Sequence, residues 1–181
     1  MDYPWNGRMG PVILLDHSDL IRTKLERTAP TAPSPDFQWI EDRFWTWIHY
    51  GLLKIGRGEY FEALDFMGFL RQVVFGPLLL YRNHALPRGM RKVETLLESS
   101  DLEILSETLS LNDQKSLLAA TKNAIEHYKK LREELFKDKV SPNLAEEPVI
   151  RYFKNKIDEG STIGSPDGTF GFSDWRINSH K

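Results

Sequence analysis

The sequence predicts a mainly α protein: a helical bundle of about five to six helices, preceded by a short strand-like remnant at the N-terminus. Three observations carry that expectation. Apolar residues return at helical spacing in two long stretches, 37–55 and 117–135. Proline and glycine punctuate the chain between such stretches. The one β-prone run, residues 11–16 (PVILLD), has no partner strand with which to build a sheet. With 181 residues the default is one domain with a real core, because a chain of roughly 150 residues buries about two thirds of its surface.

Residues 1–33 are read as the end of a preceding sheet domain followed by a proline-rich linker, TAPTAPSP at 28–35, whose prolines favour extended backbone. The bundle is expected over 34–158. Ser34 as N-cap, Pro35 in the first turn and Asp36 matching the dipole start its first helix, which buries Phe37, Ile40, Phe44, Trp47, Ile48, Leu52 and Ile55 and ends at Gly56 and Gly58. Glu59 opens a second helix with Phe61, Leu64, Met67, Val74 and Phe75 on its apolar positions. That helix must kink or restart at Gly76-Pro77, since proline has no amide proton to donate. A short helix is expected from Pro87, carrying Met90, Val93, Leu96 and Leu97, and another over 99–110 with Leu102, Ile104, Leu105 and Leu109. Asn112 can cap the clearest amphipathic helix, running to about Lys137. A last helix is expected over 144–157 after Ser141-Pro142. Residues 159–181 are turn-rich without helical periodicity and are expected to be a mobile tail.

Composition narrows the function classes. A formal charge of −2 lacks the basic excess of a dedicated nucleic-acid binder. No apolar run approaches the roughly 20 residues of a membrane helix, the longest being interrupted at Gly76-Pro77. With no cysteine there are no disulfides or thiolate metal sites, and no secretory signal is seen, so a cytoplasmic location is expected. The histidines His17, His49, His84, His127 and His180 show no ligand spacing, and none is assigned to a metal.

The candidate functional residues lie in two basic turns, KIGRGE at 54–59 and PRGMRKVE at 87–94, and on the helix between them. Lys54, Arg57 and Glu59 border a glycine turn that an anion can approach closely; the same residues also serve simply to complement two helix termini. Asp65 and Arg71 stand on an otherwise apolar helix, so each must face a cleft or find a partner, with Arg82, Arg88 or Arg91 as partners for the acid. Arg88, Arg91 and Lys92 form a basic cluster suited to phosphate or to a solvated helix start. Trp39, Trp45 and Trp47, with Phe37, Phe44 and Tyr50, either pack the core or offer a stacking surface for a nucleobase. Gly164-Ser165 with Asp174 and Arg176 imitates a nucleotidyl-transfer signature but lacks its second aspartate, and is read as tail.

Residues 44–94, and above all KIGRGE and EALDFMGFLR, resemble the helical C-terminal domain of nucleotidyltransferase-like proteins related to aminoglycoside and lincosamide adenylyltransferases, and PVILLDHSDLI resembles the end of the sheet domain before it. The resemblance covers well over half the chain. It implies ATP and magnesium, a mixed sheet holding the metal through three carboxylates, and a bundle closing over the nucleotide and a small hydroxyl acceptor. It implies Lys54 at the phosphates and Glu59 or Asp65 on the acceptor side. No GS motif with spaced aspartates precedes Pro11, so no catalytic residue is assigned and the chain is expected to be a truncated or degenerate relative, unable to transfer nucleotide alone. A complementing catalytic chain or a homo-oligomer would be its partner. The alternative is a non-enzymatic helical protein-interaction module.

Overall fold

The computed structural model describes residues 13–28 and 34–162. Its elements are α1 (Leu20–Arg27), α2 (Phe37–Gly56), α3 (Tyr60–Leu70), a π-helical turn (Arg71–Phe75), α4 (Gly76–Arg82), α5 (Val93–Leu96), α6 (Ser99–Glu107), α7 (Gln114–Leu135), a 3₁₀ turn (Lys137–Lys139) and α8 (Glu146–Thr162). The chain is a helical bundle, as its periodicity predicts, with no strand among the described residues. The strand-like remnant is not seen. Residues 13–16 carry no regular structure, residues 11 and 12 lie outside the described residues, and α1 follows where the sequence signals no helix.

Helix α2 is the centre, packing against α3, α7 and α8. It starts two residues later than Ser34 suggests, because the Asp36 carboxylate is itself the cap and accepts the Trp39 amide at 2.9 Å. It ends in a Schellman arrangement: the Glu59 amide donates to the Lys54 carbonyl at 3.0 Å and the Gly58 amide to Ile55 at 3.1 Å. Gly58 sits at φ +76°, a conformation costly for a side-chain-bearing residue. Ile40, Phe44, Trp45, Ile48, Leu52 and Ile55 are buried, Phe44 stacks on Tyr128 of α7 at 3.6 Å between centroids, and Phe37 stacks on Phe136 at 4.7 Å.

The change expected at Gly76-Pro77 takes the form of a π-helical turn, after which α4 starts at Gly76 with Pro77 in its first turn. The helix runs from Tyr60 to Arg82, and the wide turn at Arg71–Phe75 absorbs the proline, the Gly76 amide reaching back to the Arg71 carbonyl. Its most apolar window has a mean hydropathy of 1.4, long and apolar enough to cross a membrane by length and composition, yet 56% of that window is buried inside the bundle. Phe61 departs from the expected core, being 77% exposed. The helix expected from Pro87 shrinks to the four residues of α5, because Gly89 (φ +59°) and Lys92 (φ +61°) hold the preceding loop in left-handed turns. Helix α6 stops at Glu107, leaving Leu109 exposed. Helix α7 is capped by Asp113, not Asn112, through the Ser116 amide. Helix α8 begins at Glu146 and continues to Thr162, past the expected end of the bundle. The remainder of the tail, with Gly164, Ser165 and Asp174, lies outside the described residues, as do residues 29–33 of the linker.

One acid sits in the middle of this apolar assembly. Glu41 of α2 is 0% exposed. Its Oε2 accepts the Tyr128 hydroxyl at 2.5 Å, and its Oε1 accepts Arg132 at 2.9 Å and the Asn143 amide at 3.0 Å. Arg132 also pairs with Glu146 at 2.8 Å, so one carboxylate joins α2, α7 and the start of α8. Removing one partner of a buried pair strands the other charge. Glu41→Ala should therefore cost about 3–5 kcal/mol in urea unfolding, and Tyr128→Phe about 1.5–3 kcal/mol for one bond to a charged acceptor. Loss of under about 1 kcal/mol in Glu41→Ala would show that the carboxylate is not a structural hub.

Candidate functional site

The KIGRGE turn is internally neutralised. Lys54 Nζ lies 2.8 Å from Glu59 and 2.7 Å from Glu62, and Arg57 Nε lies 2.6 Å from Glu59. The Tyr50 hydroxyl donates to Glu62, and the Lys54 ammonium also lies 5.0 Å from the Tyr50 ring centroid. The hydrogen bond from Arg57, then that from Lys54, pulls the Glu59 carboxyl down to about 2, while Glu59 and Glu62 raise the Lys54 ammonium above its usual range. Of the two roles open to these residues, the geometry shows charge pairing at a helix junction. Glu62, about one helical turn after Glu59 and absent from the expected set, completes the pairing.

Asp65 lies on the exposed side of α3 with no hydrogen bond or ion pair among the described residues, so the anticipated bridge to Arg82, Arg88 or Arg91 is not made. Arg82 turns instead to Asp101, with Glu134 at 2.9 Å. Arg71 is half-buried at the start of the π turn and donates to the Thr108 carbonyl at 2.8 Å, closing the C-terminus of α6. Burial without any carboxylate beside it pushes the Arg71 guanidinium below its usual value.

The second basic turn is clamped onto the residue next to Arg71. The Met90 amide donates to Gln72 Oε1 at 3.3 Å, and a Cβ on Gly89 would lie 1.9 Å from Gln72 Nε2. On the helix, a Cβ at Gly76 would lie 2.3 Å from the Gly89 carbonyl, so two glycines permit this approach. Arg88, Arg91 and Lys92 are exposed and make no ion pair among the described residues. The structure thus divides the expected site. Arg71 starts the π turn, and Arg88 and Arg91 stand on the loop that meets it at Gln72 and Gly76, whereas Lys54, Arg57 and Glu59 sit at the other end of α3, about 17 Å of helix away.

Three polar groupings were missed in the sequence. The Glu41 hub is the first, and its signal is an acid beside Ile40 on the core face of α2. Burial, and then the bond to Glu41, raises the Tyr128 phenol well above its ordinary value. The second lines an open cavity of about 440 Å³ with Arg82, Asn83, Glu98, Ser100, Asp101 and Glu134. In the third, His127 Nε2 lies 2.5 Å from Glu107 while its Nδ1 is buried without a partner. Among the aromatics, Phe44, Trp45 and Phe66 are core, but Trp39, Trp47 and Phe69 run in contact along the outside of α2 and α3, and the exposed Tyr50 meets the buried Phe66.

Among the described residues no cluster of three or more His, Asp or Glu side chains could hold a metal ion, so the magnesium that the resemblance implies has no ligand set there. No protein-family model, curated protein or solved structure shows significant similarity to this chain.

Two outcomes follow from the turns. Because the folded Glu59 carboxyl titrates at about 2 and the unfolded one near 4.5, its stabilisation is fully present above about pH 4.5 and is lost as pH falls towards 2. Glu59→Gln should flatten the part of the urea-midpoint profile between pH 2 and 5 that this group contributes; an unchanged profile would mean the pairing is absent in solution. Gly89→Ala, which meets Gln72 and a positive φ, should destabilise by about 1–3 kcal/mol, read by thermal unfolding.

Proposed function

We propose that this chain is the helical ligand-binding part of a nucleotidyltransferase-like protein. It holds a phosphate-bearing ligand such as ATP and does not transfer nucleotide on its own. The observation that carries this reading is the π turn, where Arg71, half-buried without a carboxylate, lies beside a loop that presents Arg88, Arg91 and Lys92 unpaired. Guanidinium groups without acid partners suit phosphate oxygens, which they can hold bidentately. The sequence resemblance of residues 44–94 supports the same direction. Lys54, Arg57 and Glu59 drop out of the contact set because they satisfy one another. Metal ligands for transfer would come from a complementing catalytic chain, and a cytoplasmic setting with its ATP belongs to the same proposal.

A second reading, a non-enzymatic interaction module, is favoured by the apolar residues that α1 and the outer face of α2 and α3 leave in solvent. The two differ in a direct binding measurement. Titration calorimetry with ATP and magnesium, and separately with tripolyphosphate, should show binding that weakens about tenfold or more in Arg71→Ala and in Arg91→Ala. Equal affinity in Lys54→Ala is expected. No heat at millimolar tripolyphosphate from a folded chain would overturn the anion-binding reading.

A further inference from the structure

We infer that α1, with the leucines before it, is an arm that docks on the outer aromatic face of α2 and α3 in a second copy of this chain, each copy giving one arm and receiving one. This rests on the interaction reading above and is independent of the anion site at the π turn.

Among the described residues nothing covers the arm. Leu14 is 91% exposed and Leu20 69%, Leu15 and Ile21 are also exposed, and no residue of α1 is buried. At helical spacing Leu20, Ile21 and Leu25 share one side of α1, and Lys24 stands among them, four residues from Leu20 and three from Ile21. Lys24 makes no ion pair among the described residues. An ammonium in the middle of an apolar helix face asks for an apolar surface with a carboxylate in it.

The outer face of α3 has that pattern. Phe61, Asp65 and Phe69 follow at intervals of four residues, all exposed, with Asp65 unpaired between the two rings. Phe69 meets Trp47 of α2 edge-on at 5.1 Å, and Trp47 meets Trp39 at 5.3 Å, so the face continues across both helices. Lys24 on one surface and Asp65 on the other are complementary in charge, and each is framed by apolar neighbours. Rim charges of this kind set register more than affinity.

The area of contact favours a second copy. One eight-residue helix covers little surface, whereas a stable interface buries about 800 Å² per partner. Reciprocal exchange about a two-fold axis doubles the contact, as closed symmetric pairs do.

Sedimentation equilibrium of the full chain from micromolar to hundreds of micromolar tests this. The expected species has about twice the chain mass of 21.0 kDa, and Leu20→Asp and Phe61→Asp each return it to monomer with an unchanged helical circular dichroism spectrum. Asp65→Lys should weaken dimerisation about tenfold, since two pairs are lost per dimer, and adding Lys24→Glu to it should restore the dimer. A wild-type chain monomeric throughout would overturn the proposal and leave the arm to its own bundle or to another protein. So would a dimer indifferent to both aspartate variants. Tripolyphosphate titration of the same variants keeps the two proposals apart, because the arm variants leave Arg71, Arg88 and Arg91 intact.

Discussion

Everything else in this bundle is arranged around the buried carboxylate of Glu41. A charge at 0% exposure is tolerable only when its lone pairs are filled, and here a phenol and a guanidinium of α7 and a backbone amide just before α8 fill them. That demand fixes the register of α2 against α7 and brings Asn143 and Glu146 to the same point, so α8 starts where the network ends. The stacked Phe44 and Tyr128 rings supply the apolar area, but stacking alone tolerates sliding. The hydrogen bonds do not. Since α2 also packs on α3, its register sets the position of the long helix that carries both basic turns.

The long helix explains why two turns that look alike in composition behave differently. At its N-terminal end, two acids and two cations fall within one turn of each other and cancel. At the π turn the widened backbone carries Gln72 to the loop, and Gly76 and Gly89 let the two backbones touch. The loop is then held by its glycine and its amide, leaving its arginines with no internal duty. Arg71 spends one nitrogen on the Thr108 carbonyl at the end of α6, a carbonyl in place of a carboxylate. Among the described residues, positive charge therefore stays uncompensated at the π-turn end of the helix and is paired at the other.

The bundle was legible in the sequence because a 3.6-residue period over twenty residues is hard to produce by accident, and the residues read as the core of α2 are in the core or packed against it. What composition could not show is pairing. Lys54 and Arg57 look like ligand residues until Glu62, read only as part of a helix, proves close enough to finish neutralising them. Asp65 was expected to be paired or to face a cleft because its helix is apolar nearly all round, yet Phe61, Asp65 and Phe69 form an exposed stripe that apolarity alone hides. Pro77 was read as a kink or restart by the local rule that it lacks a donor, and it stands in the first turn of α4, after a π turn and before the buried Leu78, Leu79 and Leu80. Glu41 was passed over because an acid one residue from Ile40 reads as surface unless its partners, roughly ninety positions later, are known.

The central claim is that of two basic turns only the one at the π turn is free to meet an anion. Amide chemical-shift mapping of the ¹⁵N-labelled chain during titration with inorganic tripolyphosphate asks this residue by residue. The account predicts saturable shifts at Arg71, Gln72 and residues 88–92, with Lys54, Arg57 and Gly58 unmoved. Shifts centred on residues 54–59 would contradict it, and would mean that Glu59 and Glu62 release their cations to a ligand.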